Sequence, residues 1–268
     1  MGRIERAFQR LQAEKRTGLV TYLTVGFPHP DLTPGLVAAM EEGGADLIEL
    51  GIPFSDPLAD GTTVQRANFA ALQQGVTPRT CLEVARAVRQ RGVHVPLLLM
   101  GYYNPVLAYG QEDFCRDAAA AGVDGLIVVD LPPEESDELR RVARVCGLDL
   151  ICLVAPTSTD ERIARMAGQA SGFLYCVSLT VSPARARSCR RPSPASWNGS
   201  GATPACPWPW GSALAPAARW STSGPTPRRW WSGVLSLTCW NAPPRARNES
   251  RCAGLWRNWR AGRPKPPR

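Results

Sequence analysis

The chain has 268 residues, 44% of them hydrophobic, which is enough for one large domain with a packed core. No apolar run approaches the roughly 20 residues that cross a bilayer, and the opening MGRIERAFQRLQAEKR alternates charge with apolar positions, so the expectation is a soluble, cytoplasmic chain without a leader. The net charge of +8 is an average of unlike parts: residues 1–180 hold 16 Lys+Arg against 22 Asp+Glu, and residues 181–268 hold 15 against 1, so it is not a nucleic-acid footprint.

An amphipathic helix over Ile4–Leu11 comes first, placed to plug a barrel floor. From residue 19 onward, β-rich runs alternate with helix-period segments, the pattern of repeated βα units and a parallel sheet. Strands are predicted at Leu19–Gly26, Asp46–Pro53, Val95–Tyr103, Gly125–Pro132, Asp149–Pro156 and Gly172–Leu179, with helices at about 30–43, 62–73, 78–91, 112–121, 133–146 and 159–170. The strands are apolar along most of their length, as expected when helices cover one face and a packed barrel interior fills the other. Cys81, Cys115, Cys146, Cys152 and Cys176 sit inside these segments without CxxC spacing and read as free thiols. With only His29 and His94 present, a His-based metal site or catalytic triad is not expected.

Beyond Thr180 the alternation stops, and all nine tryptophans fall in this stretch. Residues 181–268 mix Pro, Arg, Ser and Ala without helical or strand period, which reads as a basic, largely disordered tail. Arginines interleaved with aromatics could also stack on bases, but no nucleic-acid or membrane module is recognised there. The genetic code supplies a sharper reading. Cys206-Pro207-Trp208-Pro209-Trp210-Gly211 requires TGY-CCN-TGG-CCN-TGG-GGN. Read one base earlier, this encodes Leu/Met/Val, Pro/Ser, Leu/Met/Val, Ala, Leu/Met/Val, Gly, a strand ending in a glycine loop. The same shift lets Val181–Arg185 read Gly-Val-Thr-Gly-Ala, and Arg229–Leu235 contain Val-Val-Val-Gly-Ser-Ala. A one-base slip near Thr180 is therefore expected, with the last quarter of the barrel in another frame. Six βα units alone would leave the barrel seam unpaired.

The densest chemistry lies between Asp46 and Gly61. Glu49 interrupts an apolar strand, and a carboxylate inside a barrel is costly unless paired, hydrogen-bonded or used. Asp60 follows in the loop at that strand's C-terminal end, the face where barrel enzymes hold their sites. From the pattern alone two readings stand: the carboxylates converge on a substrate, or Glu49 pairs with a basic neighbour while Asp56, Asp60 and Gly61 serve a turn.

The stretch LIELGIPFSDPLADG (47–61), together with TVGFP (24–28), GYYNP (101–105), DLP (130–132) and GFLYCVSLT (172–180), closely resembles the tryptophan synthase alpha subunit family. The resemblance runs unbroken over residues 1–180, and the shifted frame also supplies segments like GVTGAR, GFGIS and VVVGSA. It implies an α/β (β/α)8 TIM barrel, of which this chain encodes the first six units. It also implies a lyase that cleaves indole-3-glycerol phosphate by a retro-aldol reaction. Carried over by motif, Glu49 becomes the acid/base, expected to have a raised pKa, and Asp60 the ionised group that holds the indole N–H. Tyr22, Met100, Tyr102 and Tyr175 become walls for the indole ring. Pro53, Asp56, Pro57 and Asn104 fall on the face resembling the one that docks the beta subunit, in an alpha2beta2 assembly. Pyridoxal phosphate belongs to that partner, and no cofactor or metal is expected in this chain. The loops that cradle phosphate in the family are absent from the literal residues 181–268, so the chain as written is expected to be impaired. The alternative is a partial barrel that only docks the beta subunit.

Overall fold

The computed structural model describes residues 1–155, 158–177, 212–216 and 235–238. Helix α1 (Arg3–Ala13) leads into β1 (Leu19–Thr24), α2 (Thr33–Glu42), β2 (Leu47–Gly51), α3 (Thr62–Gln73), α4 (Pro78–Gln90) and β3 (Leu97–Gly101). Then come α5 (Tyr103–Tyr109), α6 (Gln111–Ala120), β4 (Gly125–Val128), α7 (Asp137–Val145), β5 (Asp149–Val154), α8 (Asp160–Gln169) and β6 (Phe173–Val177). Strands β1 to β6 lie in chain order, each parallel to the next. This is the succession of βα units that the sequence predicts.

Two apolar layers sandwich the sheet. Leu23, Ile48, Leu50, Leu97, Leu99, Leu126 and Leu150 pack outward against the helices, with Phe114 fully buried among them. The alternate residues Val20, Leu47, Leu98, Ile127, Ile151 and Phe173 fill the barrel interior. Helix α1 closes that interior from below as expected: Ile4 and Ala7 join the inner cluster, and the Phe8 and Phe173 rings lie 5.4 Å apart. Each such fully buried large side chain contributes about 1.5–3 kcal/mol relative to exposure.

Carboxylates pin the floor. Asp46, just before β2, accepts the Leu19 N–H at 2.8 Å and two guanidinium bonds from Arg16, at 2.6 and 2.7 Å. Asp124, just before β4, accepts the Leu97 N–H at 2.9 Å and pairs with Arg89 at 2.6 Å and with Arg3 of α1 at 2.9 Å. Each thus ties a strand start to its neighbour and to a cation.

The structure departs from the sequence reading at three places. Residues 103–109 form α5, which the Asn104-Pro105 pair conceals. Proline is tolerated in a first helical turn because the N–H it lacks would have had no intrahelical acceptor there, and the Tyr103 N–H is taken by Asp130 Oδ1 at 2.7 Å. Helices α2 and α7 begin later than predicted, each preceded by a single tight turn of 3-10 helix at Pro30–Leu32 and Pro133–Glu135. The seam also carries strands: β7 (Ser212–Pro216) pairs antiparallel with β6, and β8 (Leu235–Thr238) pairs parallel with β1. Open edges offer rows of N–H and C=O groups that need partners, which is the physical reason for segments to add there. The rest of 181–268, on which most of the expected disordered tail falls, lies outside the described residues.

Cys81, Cys115 and Cys152 are buried free thiols and Cys146 is a half-buried one; the Cys176 side chain lies outside the description.

Candidate active site

Strand β2 delivers Glu49 into the barrel. Every residue of LIELG is buried, so the side chains alternate between the helix layer and the interior, and Glu49 shares the inward face with Leu47. It is only 1% exposed, and among the described residues its Oε1 has no hydrogen-bond partner. Burial pushes its pKa from an ordinary 4.5 up to about 8. Among the described residues no basic neighbour neutralises it, and none of them supports the reading in which Glu49 sits in an ion pair. At neutral pH the group is mostly protonated and carries a removable proton.

Asp60 stands in the loop between β2 and α3, half-buried. Burial raises its pKa to about 6, opposed by hydrogen bonds from Asn68 and Tyr102. The Asn68 amide donates to Asp60 Oδ2 at 3.1 Å. Asp60 therefore remains mostly ionised at pH 7, although less acidic than a loop position suggests. Two carboxyl groups at one barrel mouth thus hold different protonation states, which is the arrangement acid–base chemistry needs.

Tyr22 on β1 is in register with Glu49 on β2, so the two side chains emerge side by side. Its pKa is raised first by burial, with the charges of Asp60 and Glu49 adding to the effect. The phenol lies across Gly51, where an added Cβ would collide with the Tyr22 hydroxyl and force the ring to move. Met100 of β3 and Tyr175 of β6 pack on the inner cluster, Tyr175 as part of it and Met100 at its margin. Tyr102 is buried just past β3 and does more than line a wall. Its hydroxyl accepts the Ala59 N–H at 2.9 Å and its ring lies 5.1 Å from Phe54, clamping both ends of the loop that carries Asp60.

The residues expected at a docking face separate. Asp56 and Asn104 are exposed and Pro57 is half-buried, whereas Pro53 is buried and shapes the loop from beneath. Leu58 and Leu107, at 93% and 52% exposure, stand in the same loop as Asp56 and the same helix as Asn104. Sequence reasoning missed Asn68, a 2% exposed amide on α3. The available signal was its spacing: three residues before the buried Ala71, it falls on the inward face of the helix.

Comparison with known proteins agrees with this geometry. The family model described as tryptophan synthase alpha chain matches residues 8–189. The tryptophan synthase alpha chain of Roseiflexus castenholzii is 56% identical over 180 residues, covering 67% of this chain and 69% of the relative. That of Chloroflexus aurantiacus is also 56% identical over 180 residues, covering 67% and 68%. Among solved structures, tryptophan synthase subunit alpha from Legionella pneumophila superposes with a TM-score of 0.65 at 42% identity, over 68% of this chain and 70% of that one. Tryptophan synthase from M. tuberculosis in its aminoacrylate-bound form gives 0.63 at 40%, over 66% and 71%. Family match and strand order agree, and the chain belongs to the tryptophan synthase alpha chain family.

Proposed function

We propose that Glu49 and Asp60 carry the retro-aldol cleavage of indole-3-glycerol phosphate to indole and glyceraldehyde 3-phosphate. The observation that carries this reading is Glu49 itself, an acid buried inside a barrel whose Oε1 has no partner among the described residues and whose pKa burial raises to about 8. Its proton goes to the indole ring carbon that bears the side chain, and the positive charge that develops at nitrogen is held by ionised Asp60. The Glu49 carboxylate then takes the proton from the side-chain hydroxyl as the carbon–carbon bond breaks, releasing the aldehyde and restoring the acid. Tyr22, Met100, Tyr102 and Tyr175 enclose the ring.

Asp56, Pro57 and Asn104, with Leu58 and Leu107 beside them, form the face for a beta subunit, which would carry the pyridoxal phosphate. The cytoplasm suits this role, since its reducing conditions keep thiols such as Cys81, Cys115 and Cys152 free. Residues 181–268 are an out-of-frame tail to a partial barrel at 1–180, and the phosphate-binding loops belong to the other frame. The relatives' 180-residue matches support a boundary there.

Indole release by the purified chain, measured beside a version with the frame restored at Thr180, tests this. The restored protein should cleave, the literal chain should be impaired, and Glu49→Gln in the restored background should lower turnover about a hundredfold to ten-thousandfold. Near-normal turnover of Glu49→Gln would remove the assignment. A literal chain that cleaves nothing yet saturably changes beta-subunit activity would be a docking module instead.

A further inference from the structure

Behind the two acids runs a chain of hydrogen bonds, buried at its Thr24–Asn68 link, that the reaction as described does not use. Tyr22 Oη lies 3.2 Å from Thr24 Oγ1, Thr24 Oγ1 lies 3.5 Å from Asn68 Oδ1, and Asn68 Nδ2 lies 3.1 Å from Asp60 Oδ2. Thr24 and Asn68 are each 2% exposed, so water does not compete for these contacts. We infer that Asn68 is a positioning residue that holds Asp60 in its acceptor state through a directional relay from Tyr22. The inference deepens the role proposed for Asp60 and rests on it for its catalytic meaning only.

Direction follows from donor bookkeeping. An ionised Asp60 has no proton to give, so Asn68 must present its NH2 to Asp60 and its carbonyl to Thr24. Thr24 then spends its single proton on Asn68, and its oxygen accepts from the Tyr22 hydroxyl. If Asp60 takes a proton, the favoured order reverses: Asp60 donates to a flipped Asn68 amide, which donates to Thr24, which donates to Tyr22. The amide orientation of Asn68 is thus coupled to the protonation of Asp60. Because the chain ends on a residue that flanks Glu49, groups bound at the mouth can bias it from either end. Among the described residues the titratable groups that face Asp60 are Tyr102 from the end of β3 and Tyr22 from β1, and Tyr22 faces Glu49 of β2 as well.

The experiment is carboxyl-carbon NMR titration of the full chain with labelled aspartate, Asp60 being assigned by the signal lost in Asp60→Asn. In the parent, Asp60 should titrate near pH 6. In Asn68→Leu, which keeps bulk and removes the donor, proton affinity at Asp60 should rise tenfold or more, because a hydrogen bond to a charged group is lost. Thr24→Val leaves the Asn68 donor but unties its carbonyl, and should raise the affinity about twofold to threefold. Asp46, on the barrel floor, reports whether each variant is folded, and its midpoint should not move. An unmoved Asp60 midpoint in folded Asn68→Leu overturns the inference; if that variant loses the Asp46 signal, an unmoved midpoint in Thr24→Val does so. No turnover is needed for any of these readings. Failure to cleave indole-3-glycerol phosphate would therefore remove the proposed reaction and leave the relay intact.

Discussion

Asp46 and Glu49 are three residues apart on one strand approach, both at most 2% exposed, and their electrostatics are opposite. At the floor, Asp46 accepts from Arg16, Arg10 and the Leu19 N–H, and these partners overcome its desolvation and hold its pKa below the ordinary range. At the mouth, Glu49 has an oxygen with no partner among the described residues, and desolvation drives its pKa up. Both acids are hidden from solvent, Glu49 the more deeply, but their pairing is opposite: the floor acid stays charged and fastens α1 to the sheet, while the mouth acid stays neutral and has a proton to transfer. Burial of a carboxylate is therefore a weak sign of function until its partners are counted.

Neutralising each acid in turn is the strongest way to break the comparison. Glu49 is raised in the folded chain, so the stability tied to its protonated form is complete below about pH 4.5 and is lost as pH rises through about 8. Glu49→Gln cannot ionise and escapes that loss. Urea unfolding across this window should show the variant gaining on the parent by roughly 3 to 5 kcal/mol between pH 4.5 and pH 8. A parent and variant that run parallel with pH would mean that Glu49 is paired after all.

Asp46→Asn should behave with the opposite sign and a smaller size. Its folded pKa is depressed, so its contribution is present above the ordinary 3.8 and disappears as pH falls through the lowered value. At pH 7 the variant should be less stable than the parent by about 2 kcal/mol, the worth of charged hydrogen bonds whose cations can return partly to solvent. The gap should close in acid, as urea midpoints at pH 7 and pH 2 would show.

The sequence made the difference between these acids only half visible. Glu49 stands out in LIELG as the one charge in an apolar strand, and the six-strand order follows from the period of the runs around it. Asp46 is as conspicuous in the sequence, but its cations sit 30 and 36 residues earlier, and no local pattern connects them. Asn68 was hidden for a different reason: an amide in TTVQRANFAALQ looks like a solvated helix position until the loop that leads into the helix is seen to fold Asp60 back onto it. Helix α5 escaped because Asn-Pro signals a turn, and its N-terminal support from Asp130 comes from the next unit of the barrel. Periodicity reports on burial, while pairing is a long-range property.

The smallest expected effect sharpens the floor itself. Arg16 meets Asp46 with two bonds, one to each oxygen, whereas Arg10 adds a single bond at 3.0 Å from a side chain 49% exposed. Two parallel bonds fix both oxygens and one does not, so the cations should not be interchangeable. Arg10→Ala should cost no more than about 0.5 kcal/mol and lose that cost in molar salt, as an exposed ion pair does. Arg16→Ala should cost more and keep most of its effect in salt, because Asp46 would then be a buried acid held mainly by the Leu19 N–H and one weak cation. Its pKa should climb toward the behaviour of Glu49, measurable on the same labelled carboxyl carbon. If the two arginine variants are equal, the asymmetry of bonding has no energetic meaning, and the low pKa of Asp46 comes from the summed positive charge of the floor.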